Sequence, residues 1–179
     1  MRRIAASILA LTIMGAVVGC GSIQFSIKEP QAAQLTYKSD YLFWESWKGE
    51  SVGLPAALTL NAHDKAIYKI SDIPLHEGLT VYATVDTKKA TDFTRVASVP
   101  IVINAQDLKD VEQGNVVRIV LVDPKKEYQT SQFESLRLSP TDDAYKRAKE
   151  IGTPIAVVTL GNREPSYRDF FGSKRAASY

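Results

Sequence analysis

The residues from Val116 to Val122 constrain the fold more than any other stretch of the chain. Five of these seven residues are β-branched, and only Arg118 is polar. Gly-Asn precedes the run and Asp-Pro follows it, and both pairs favour turns. A short apolar run bounded in this way predicts a strand that is buried on both faces. The other apolar segments are therefore expected to pair with this strand or to pack on it.

Short apolar or alternating runs elsewhere predict a series of further strands. They are expected at 56–60, 66–73, 79–85, 99–103 and 155–160. The run 79–85 alternates cleanly, with its apolar residues at the odd positions, which is typical of a half-buried strand. Pro100 favours an edge position for the run 99–103, because proline has no N–H to donate to a neighbouring strand.

Two short helices are predicted in the connections between these strands. Asn104 and Asp107 have the spacing of a capping box, and Gly114 provides the exit from that helix. A second helix is predicted to run from Ser139, as its cap, to Ile151. A proline follows the serine at the first helical position, and Gly-Thr-Pro follows the last one.

Many short strands at close spacing predict a mainly β fold. We expect an immunoglobulin-like β-sandwich with one or two short helices in its connections. The stretch 107–116 resembles the turn between the fifth and sixth strands of immunoglobulin-like domains, although that family has a tyrosine near the place of Val116. The alternative is an α/β layer fold, because strand–helix–strand order recurs twice near the C-terminus.

Residues 1–19 have the layout of a secretory signal peptide. Arg2 and Arg3 precede an apolar run that ends at Val18, which is shorter than the roughly 20 apolar residues of a membrane span. The end of the run resembles a bacterial lipobox, with Val17 where that family prefers leucine. This resemblance implies cleavage before Cys20 and a thioether-linked diacylglycerol on that cysteine.

The cysteine content agrees with lipidation. Cys20 is the only cysteine, and an odd cysteine in an exported protein needs an explanation, which a lipid supplies. Acyl chains such as palmitate gain about 0.8 kcal/mol per buried CH₂ and hold a protein at a membrane without a helix. We therefore expect a membrane-anchored lipoprotein on the periplasmic side of the cell envelope. Gly21, where aspartate would favour the inner membrane, favours the outer one. The alternatives are an uncleaved anchor, or a plain signal peptide in which Cys20 is incidental.

Residues 20–50 are interpreted as a tether with an aromatic segment, in which the alternating residues 22–27 can form a short strand. Five rings lie close together there, those of Tyr37, Tyr41, Phe43, Trp44 and Trp47. Tyr and Trp rings have one apolar and one polar end, so Tyr41, Phe43, Trp44 and Trp47 are candidates for an interaction site. The interpretation that we favour is that the rings close over one end of the domain core.

The folded domain is expected to span residues 51–162, and residues 163–179, which lack apolar periodicity, are interpreted as a flexible tail. The chain has 22 basic and 20 acidic residues. Removal of Arg2 and Arg3 with the signal peptide leaves 20 of each, a net charge of zero. This balance argues against nucleic acid as a partner, since nucleic-acid binding needs a basic face.

Several short motifs follow one another through the domain. They are Ile73-Pro74, Gly78 to Tyr82, Val99 to Ile101, Asp107-Leu108, Gly114 to Val117, Val122 to Pro124 and Gly161-Asn162. Through these motifs, residues 70–163 resemble a family of uncharacterised exported proteins of planctomycete bacteria, whose members tend to have an aromatic residue in place of Val116. The resemblance implies export; the family has no known activity, so no catalytic residue can be carried over from it.

The candidates for chemistry are His63 and His76, each beside an acidic residue in a predicted turn. Such residues form metal sites or acid–base pairs, but their spacing matches no zinc pattern. The sequence contains no Gly-x-Ser-x-Gly frame and no phosphate-binding loop. We therefore predict no catalytic residues, no cofactor and no metal.

The predicted function is that of a lipid-anchored, non-catalytic envelope protein that acts as a binding or structural domain. Its expected partners are the membrane, through the lipid at Cys20, and envelope proteins or polymers. Two alternatives stay open. The first is a subunit of an envelope assembly that docks through the aromatic segment 37–47, and the second is a metal-binding or enzymatic lipoprotein.

Overall fold

The structure of the protein, a computed structural model, describes residues 22–39, 47, 51–61, 64–87, 98–124, 133–139 and 142–171. In this part of the chain, ten strands form two sheets, and three helices lie in the connections or follow the last strand. The strands are β1 (Ser22–Ile27), β2 (Gln34–Ser39), β3 (Val52–Gly53), β4 (Ala56–Asn61), β5 (Lys65–Ser71), β6 (Val81–Asp86), β7 (Val99–Ile101), β8 (Val117–Pro124), β9 (Glu134–Leu138) and β10 (Gly152–Gly161). The helices are α1 (Ala105–Glu112), α2 (Ala144–Ile151) and α3 (Tyr167–Phe171).

The smaller sheet has the order β4-β1-β7. β1 pairs antiparallel with β4, with Ser22 opposite Asn61, and in parallel with β7. The edge position predicted for β7 from Pro100 is confirmed. Ile23 and Phe25 of the middle strand are buried, so one face of this sheet lies against the core.

The larger sheet has the order β3-β2-β5-β6-β10-β8-β9, and every pairing described within it is antiparallel. The α/β alternative does not form, because α1 connects β7 of the smaller sheet to β8 of the larger one. The predicted mainly β sandwich with short helices in its connections is therefore confirmed.

Apolar side chains of both sheets meet in one continuous core. Val81, Ala83 and Val85 of β6 enter it, as the alternation of that run predicts. Leu108 and Val111 of α1 are buried in the same core. The side chains that alternate with Val81, Ala83 and Val85 along β6 therefore point to the face of the larger sheet that lies away from the core.

β8 is buried on both faces, as the sequence predicts. Val117 and Ile119 enter the core between the sheets, whereas Val120 and Val122 pack with α2 on the opposite face. The strand lies between β10 and β9, so both of its edges are paired. Val116, the predicted first residue of the strand, precedes it and is 52% exposed.

α1 begins with the predicted capping box. Asn104 Oδ1 accepts from the Asp107 N–H and Asp107 Oδ2 accepts from the Asn104 N–H, both at 2.8 Å. Arg137 of β9 donates to Asp107 Oδ1 from Nε at 2.7 Å and to Oδ2 from Nη2 at 2.6 Å. This pairing raises the pKa of Arg137. Asp107 is only 2% exposed, so the pair joins α1 to an edge strand from within the protein.

α2 begins four residues later than predicted. Its N-cap is Asp143, whose carboxylate accepts two backbone N–H groups of the first turn, at 3.0 and 3.2 Å. The prediction of Ser139 as the cap was wrong. Its N–H donates to Asp142 at 3.1 Å just after β9, and the aspartate at 143 lies directly before the buried Ala144.

The tether predicted for residues 20–50 is wrong where the structure describes it. β1 coincides with the short strand that the alternation of 22–27 allows, and both β1 and β2 are paired strands. Ile27 of β1 and Leu35 of β2 are buried in the core. Pairing of β1 with β4 and of β2 with β5, strands that follow later in the chain, holds these residues in the core.

The flexible tail predicted for residues 163–179 is wrong up to residue 171. α3 forms in this range, and Phe170 is 2% exposed. The burial of this ring supplies the free energy that a flexible tail would lack. Residues 172–179 lie outside the described part of the chain.

Candidate functional site

A groove of about 390 Å³ lies on the outer face of the larger sheet, opposite the core. Its floor is formed where β6, β10 and β8 run side by side. Thr84 of β6 lies opposite Thr159 of β10, which in turn lies opposite Arg118 of β8. Two residues away along β6, Tyr82 lies opposite Gly161. The floor therefore combines hydroxyl groups, one guanidinium and one position without a side chain.

α2 forms one wall of the groove. Its Ala144 and Ala148 pack on the outer face of β8, and Tyr145 lines the groove beside them. Arg118 Nη1 donates to the backbone oxygen of Asp142 at 3.1 Å. This hydrogen bond joins the floor to the residue just before the helix cap, so the wall is fixed to the sheet.

The segment from Arg163 to Asp169, which includes the start of α3, forms the opposite wall. Ser166 and Asp169 make a capping box: the Asp169 N–H donates to Ser166 Oγ at 3.2 Å, and the Ser166 N–H donates to Asp169 Oδ2 at 3.0 Å. Hydrogen bonds from Ser166 hold the pKa of Asp169 below its ordinary value. The box fixes the course of the chain along the groove.

Lys65 of β5 attaches α3 to the sheet. Its Nζ donates to the Phe170 backbone oxygen at 2.6 Å and lies 4.9 Å from the centroid of the Phe170 ring. The same Nζ lies 3.9 Å from Asp86 Oδ2. One side chain therefore connects α3, β5 and β6 at this end of the groove.

Trp47 lies at the rim of the groove. Its ring centroid is 5.7 Å from that of Tyr82, and its Nε1 donates to Glu164 Oε2 at 3.1 Å. Tyr82 and Glu164 both line the groove. Burial of the phenol, and then the charge of Glu164, raise the pKa of Tyr82 above its ordinary value of 10.0. The Tyr82 hydroxyl therefore keeps its proton at neutral pH and can donate a hydrogen bond.

The charges that line the groove cancel. The cations are Lys65, Arg118 and Arg163, and the anions are Asp86, Glu164 and Asp169. Together with the hydroxyls of the floor, these groups supply both donors and acceptors, while the Tyr82 and Tyr145 rings supply apolar surface. Such a lining suits a ligand that carries polar groups of both kinds and no large net charge.

Gly161 opens space in the groove. A Cβ atom added at this residue would have no heavy atom of the described residues within 4 Å, and its φ lies outside the left-handed region. The backbone therefore does not require glycine here. Glycine in a strand often marks a place where a ligand approaches closely, and a larger side chain at this position would occupy the groove instead.

The structure describes one of the predicted interaction residues. Trp47 lies at the groove, where it contacts Tyr82 and Glu164. Tyr41, Phe43 and Trp44 lie outside the described residues, as does the predicted lipidation site Cys20.

The structure describes one of the two candidate histidines. His63 lies outside the described residues, and His76 Nδ1 lies 3.3 Å from Glu112 Oε2 at the end of α1. Within the ranges that the structure describes, no group of three or more His, Cys, Asp and Glu residues could hold a metal ion.

Most groove residues were not predicted as site residues. The alternation of β6 predicts that Tyr82 and Thr84 face outward, but it does not indicate what covers them. The wall from Arg163 to Asp169 falls in the predicted tail. The sequence does contain a signal for this wall: Ser166, directly after Pro165, and Asp169 have the spacing of a capping box.

Comparison of the chain with protein-family models, with curated proteins and with solved structures finds no match. In the described part of the chain, no helix has the length and apolar character needed to cross a membrane.

Proposed function

We propose that the protein is a lipid-anchored, non-catalytic binding protein of the cell envelope, and that the groove holds its ligand. The observation that carries this proposal is a cavity of about 390 Å³ whose two walls are fixed to its floor by Arg118 and Lys65. Pockets of roughly 300–1,000 Å³ with a few convergent polar groups are typical of small-molecule sites.

The proposed ligand is a small polar compound with both hydrogen-bond donors and acceptors and no large net charge. Three cations and three anions line the groove, so a multiply charged anion would also lie against Asp86, Glu164 and Asp169. Like charges in contact are unfavourable, and more so in a partly buried site. A ligand with balanced polar groups meets a partner at each of these positions.

The groove is tested by filling it. Gly161→Phe places a ring in the open space, and we expect it to weaken binding at least about tenfold, because a ligand and the ring cannot share a cavity of this size. Gly53→Phe is the matched control, since a Cβ atom there also has no described heavy atom within 4 Å and Gly53 is exposed on β3.

Trp47 supplies the signal for this test. The chain has two tryptophans, so a Trp44→Phe background leaves Trp47 as the only one. An envelope extract is separated by size and by charge, and each fraction is titrated into this protein while the tryptophan fluorescence is recorded. A fraction that changes the fluorescence of the Gly53→Phe variant but not that of Gly161→Phe supports the proposal. Equal responses of the two variants contradict it.

The anchor is supported by the charged start of the chain, the apolar run and the single cysteine at its end. Radiolabelled palmitate should be incorporated into the protein and should be absent from Cys20→Ala. Label in the Cys20→Ala variant, or none in either protein, contradicts the lipid anchor.

The alternative of a subunit that docks through the aromatic segment 37–47 is favoured by one observation. Tyr37 on β2 is 54% exposed, which leaves a large aromatic surface open among the described residues. If this surface docks on an envelope protein, Tyr37→Ser should lose that partner in a pull-down from solubilised envelope, while Gly161→Phe should retain it.

A further inference from the structure

The start of β1 determines how the domain sits on a membrane, provided that Cys20 carries the lipid as proposed above. Only Gly21 separates Cys20 from Ser22, the first residue of β1. Two residue steps of backbone span at most about 7 Å. A lipid in the bilayer therefore keeps Ser22 close to the headgroups.

β1 cannot detach from the domain to lengthen this link. It is the middle strand of its sheet, paired with β4 on one side and with β7 on the other. Ile23, Phe25 and Ile27 are at most 1% exposed. Detachment would break both strand pairings and expose three core side chains to water, so the end of the domain at Ser22 must stay near the bilayer.

We infer that the end of the sandwich that contains Ser22 and Asn61 faces the lipid headgroups. Asn61 is the residue opposite Ser22. Its backbone oxygen lies 2.9 Å from Thr87 Oγ1, and the Thr87 N–H donates to the Asp64 oxygen at 2.9 Å. These contacts place the start of β5 and the end of β6 at the same end of the molecule.

This orientation also fixes the direction of the groove. Lys65 and Asp86, at the start of β5 and the end of β6, mark its membrane-facing end. Tyr82 lies four residues away along β6, about 13 Å from Asp86 at the usual rise of a strand. The rim formed by Tyr82 and Trp47 therefore lies farther from the headgroups, and a ligand from the aqueous phase can enter there.

The opposite end of the domain carries the connection between β5 and β6. β5 has seven residues and spans roughly 20 Å, so this connection is separated from Asn61 by about the length of the strand. Leu75 in this connection is 99% exposed. If this leucine entered the membrane instead, the end of the domain that carries Leu75 would face the headgroups. Labels at residues 61 and 75 distinguish the two orientations.

The experiment compares two label positions in the full-length, lipidated protein bound to phosphatidylcholine vesicles. Cys20 is blocked by its lipid, so Asn61→Cys and Leu75→Cys each present one thiol for a bimane label. Quenching by nitroxide-headgroup lipid should be at least about threefold stronger at residue 61, because residue 75 lies roughly 20 Å farther away. Both replaced side chains are exposed, so the fold should be retained.

A matched control lengthens the link. Ten Gly-Ser residues inserted after Gly21 span about 17 Å and should remove most of the quenching at residue 61. Equal quenching at the two sites, or stronger quenching at residue 75, overturns the inferred orientation. So does an absence of quenching at both sites in a palmitate-labelled, vesicle-bound protein, but that result leaves the proposed anchor intact. Failure to incorporate palmitate overturns both the anchor and the orientation.

Discussion

Replacement of Arg137 by alanine should destabilise the domain strongly, although Arg137 lies on an edge strand. Asp107 is 2% exposed and accepts two hydrogen bonds from the guanidinium, at 2.6 and 2.7 Å. Arg137→Ala leaves this buried carboxylate with the Asn104 N–H, at 2.8 Å, as its remaining described donor. The cost comes from the uncompensated charge rather than from lost packing.

The size of the effect follows from burial. Removal of one partner of a buried ion pair costs about 3–5 kcal/mol. The Arg137 side chain is 38% exposed, so water can partly replace it, and we expect the low end, about 3 kcal/mol. For a domain of this size the melting temperature should fall by roughly 6–12 °C.

The chain provides a matched control for this variant. Arg147 and Glu150 of α2 form an ion pair at the same 2.6 Å distance, but their side chains are 59% and 48% exposed. Arg147→Ala should cost at most about 0.5 kcal/mol, because exposed pairs of this spacing contribute little. Urea unfolding followed by circular dichroism measures both variants. If Arg137→Ala costs no more than Arg147→Ala, the reasoning from burial is wrong.

Three further perturbations test other parts of the structure. Phe170→Ala should cost about 3 kcal/mol in urea unfolding, because it leaves a cavity under α3, and a cost near zero would mean that α3 is not packed on the sheet. Burial, more than the neighbouring groups, raises the pKa of Tyr68, so the free energy of unfolding should fall as pH rises above about 10, by up to about 1.4 kcal/mol per pH unit. Tyr68→Phe should reduce that fall. An equal dependence of the free energy of unfolding on pH in the two proteins would contradict this expectation. Ser166→Ala removes the Oγ hydrogen bond to Asp169, the largest of the causes that lower the pKa of that carboxyl, and leaves the hydrogen bond from the backbone N–H. An NMR titration should therefore show the Asp169 pKa rising part of the way towards its ordinary value, and an unchanged pKa would exclude the side-chain contact.

Local sequence patterns predicted the elements whose structure depends on neighbouring residues. β8 is recognisable because five β-branched residues lie between two turn pairs, and α1 because Asn104 and Asp107 can each accept the other's N–H. The alternation of β6 and the edge position of Pro100 follow from the same short-range geometry. These features need no knowledge of distant partners.

The groove could not be predicted in this way, because residues far apart in the chain form it. Lys65 and Phe170 are 105 positions apart, and Trp47 and Glu164 are 117 apart. β1 and β2 pair with β4 and β5, which follow later in the chain. This dependence on distant partners explains why the sequence alone predicts a tether in the N-terminal part of the chain.

The most direct test of the binding site is hydrogen–deuterium exchange with and without the small-molecule fraction of an envelope extract. If the groove holds the ligand, exchange should slow in β6, in the end of β10 and in the segment from Arg163 to Asp169, with no such change in the Gly161→Phe variant. Protection of other regions instead, or protection of the same segments in Gly161→Phe, would show that the ligand does not bind in the groove.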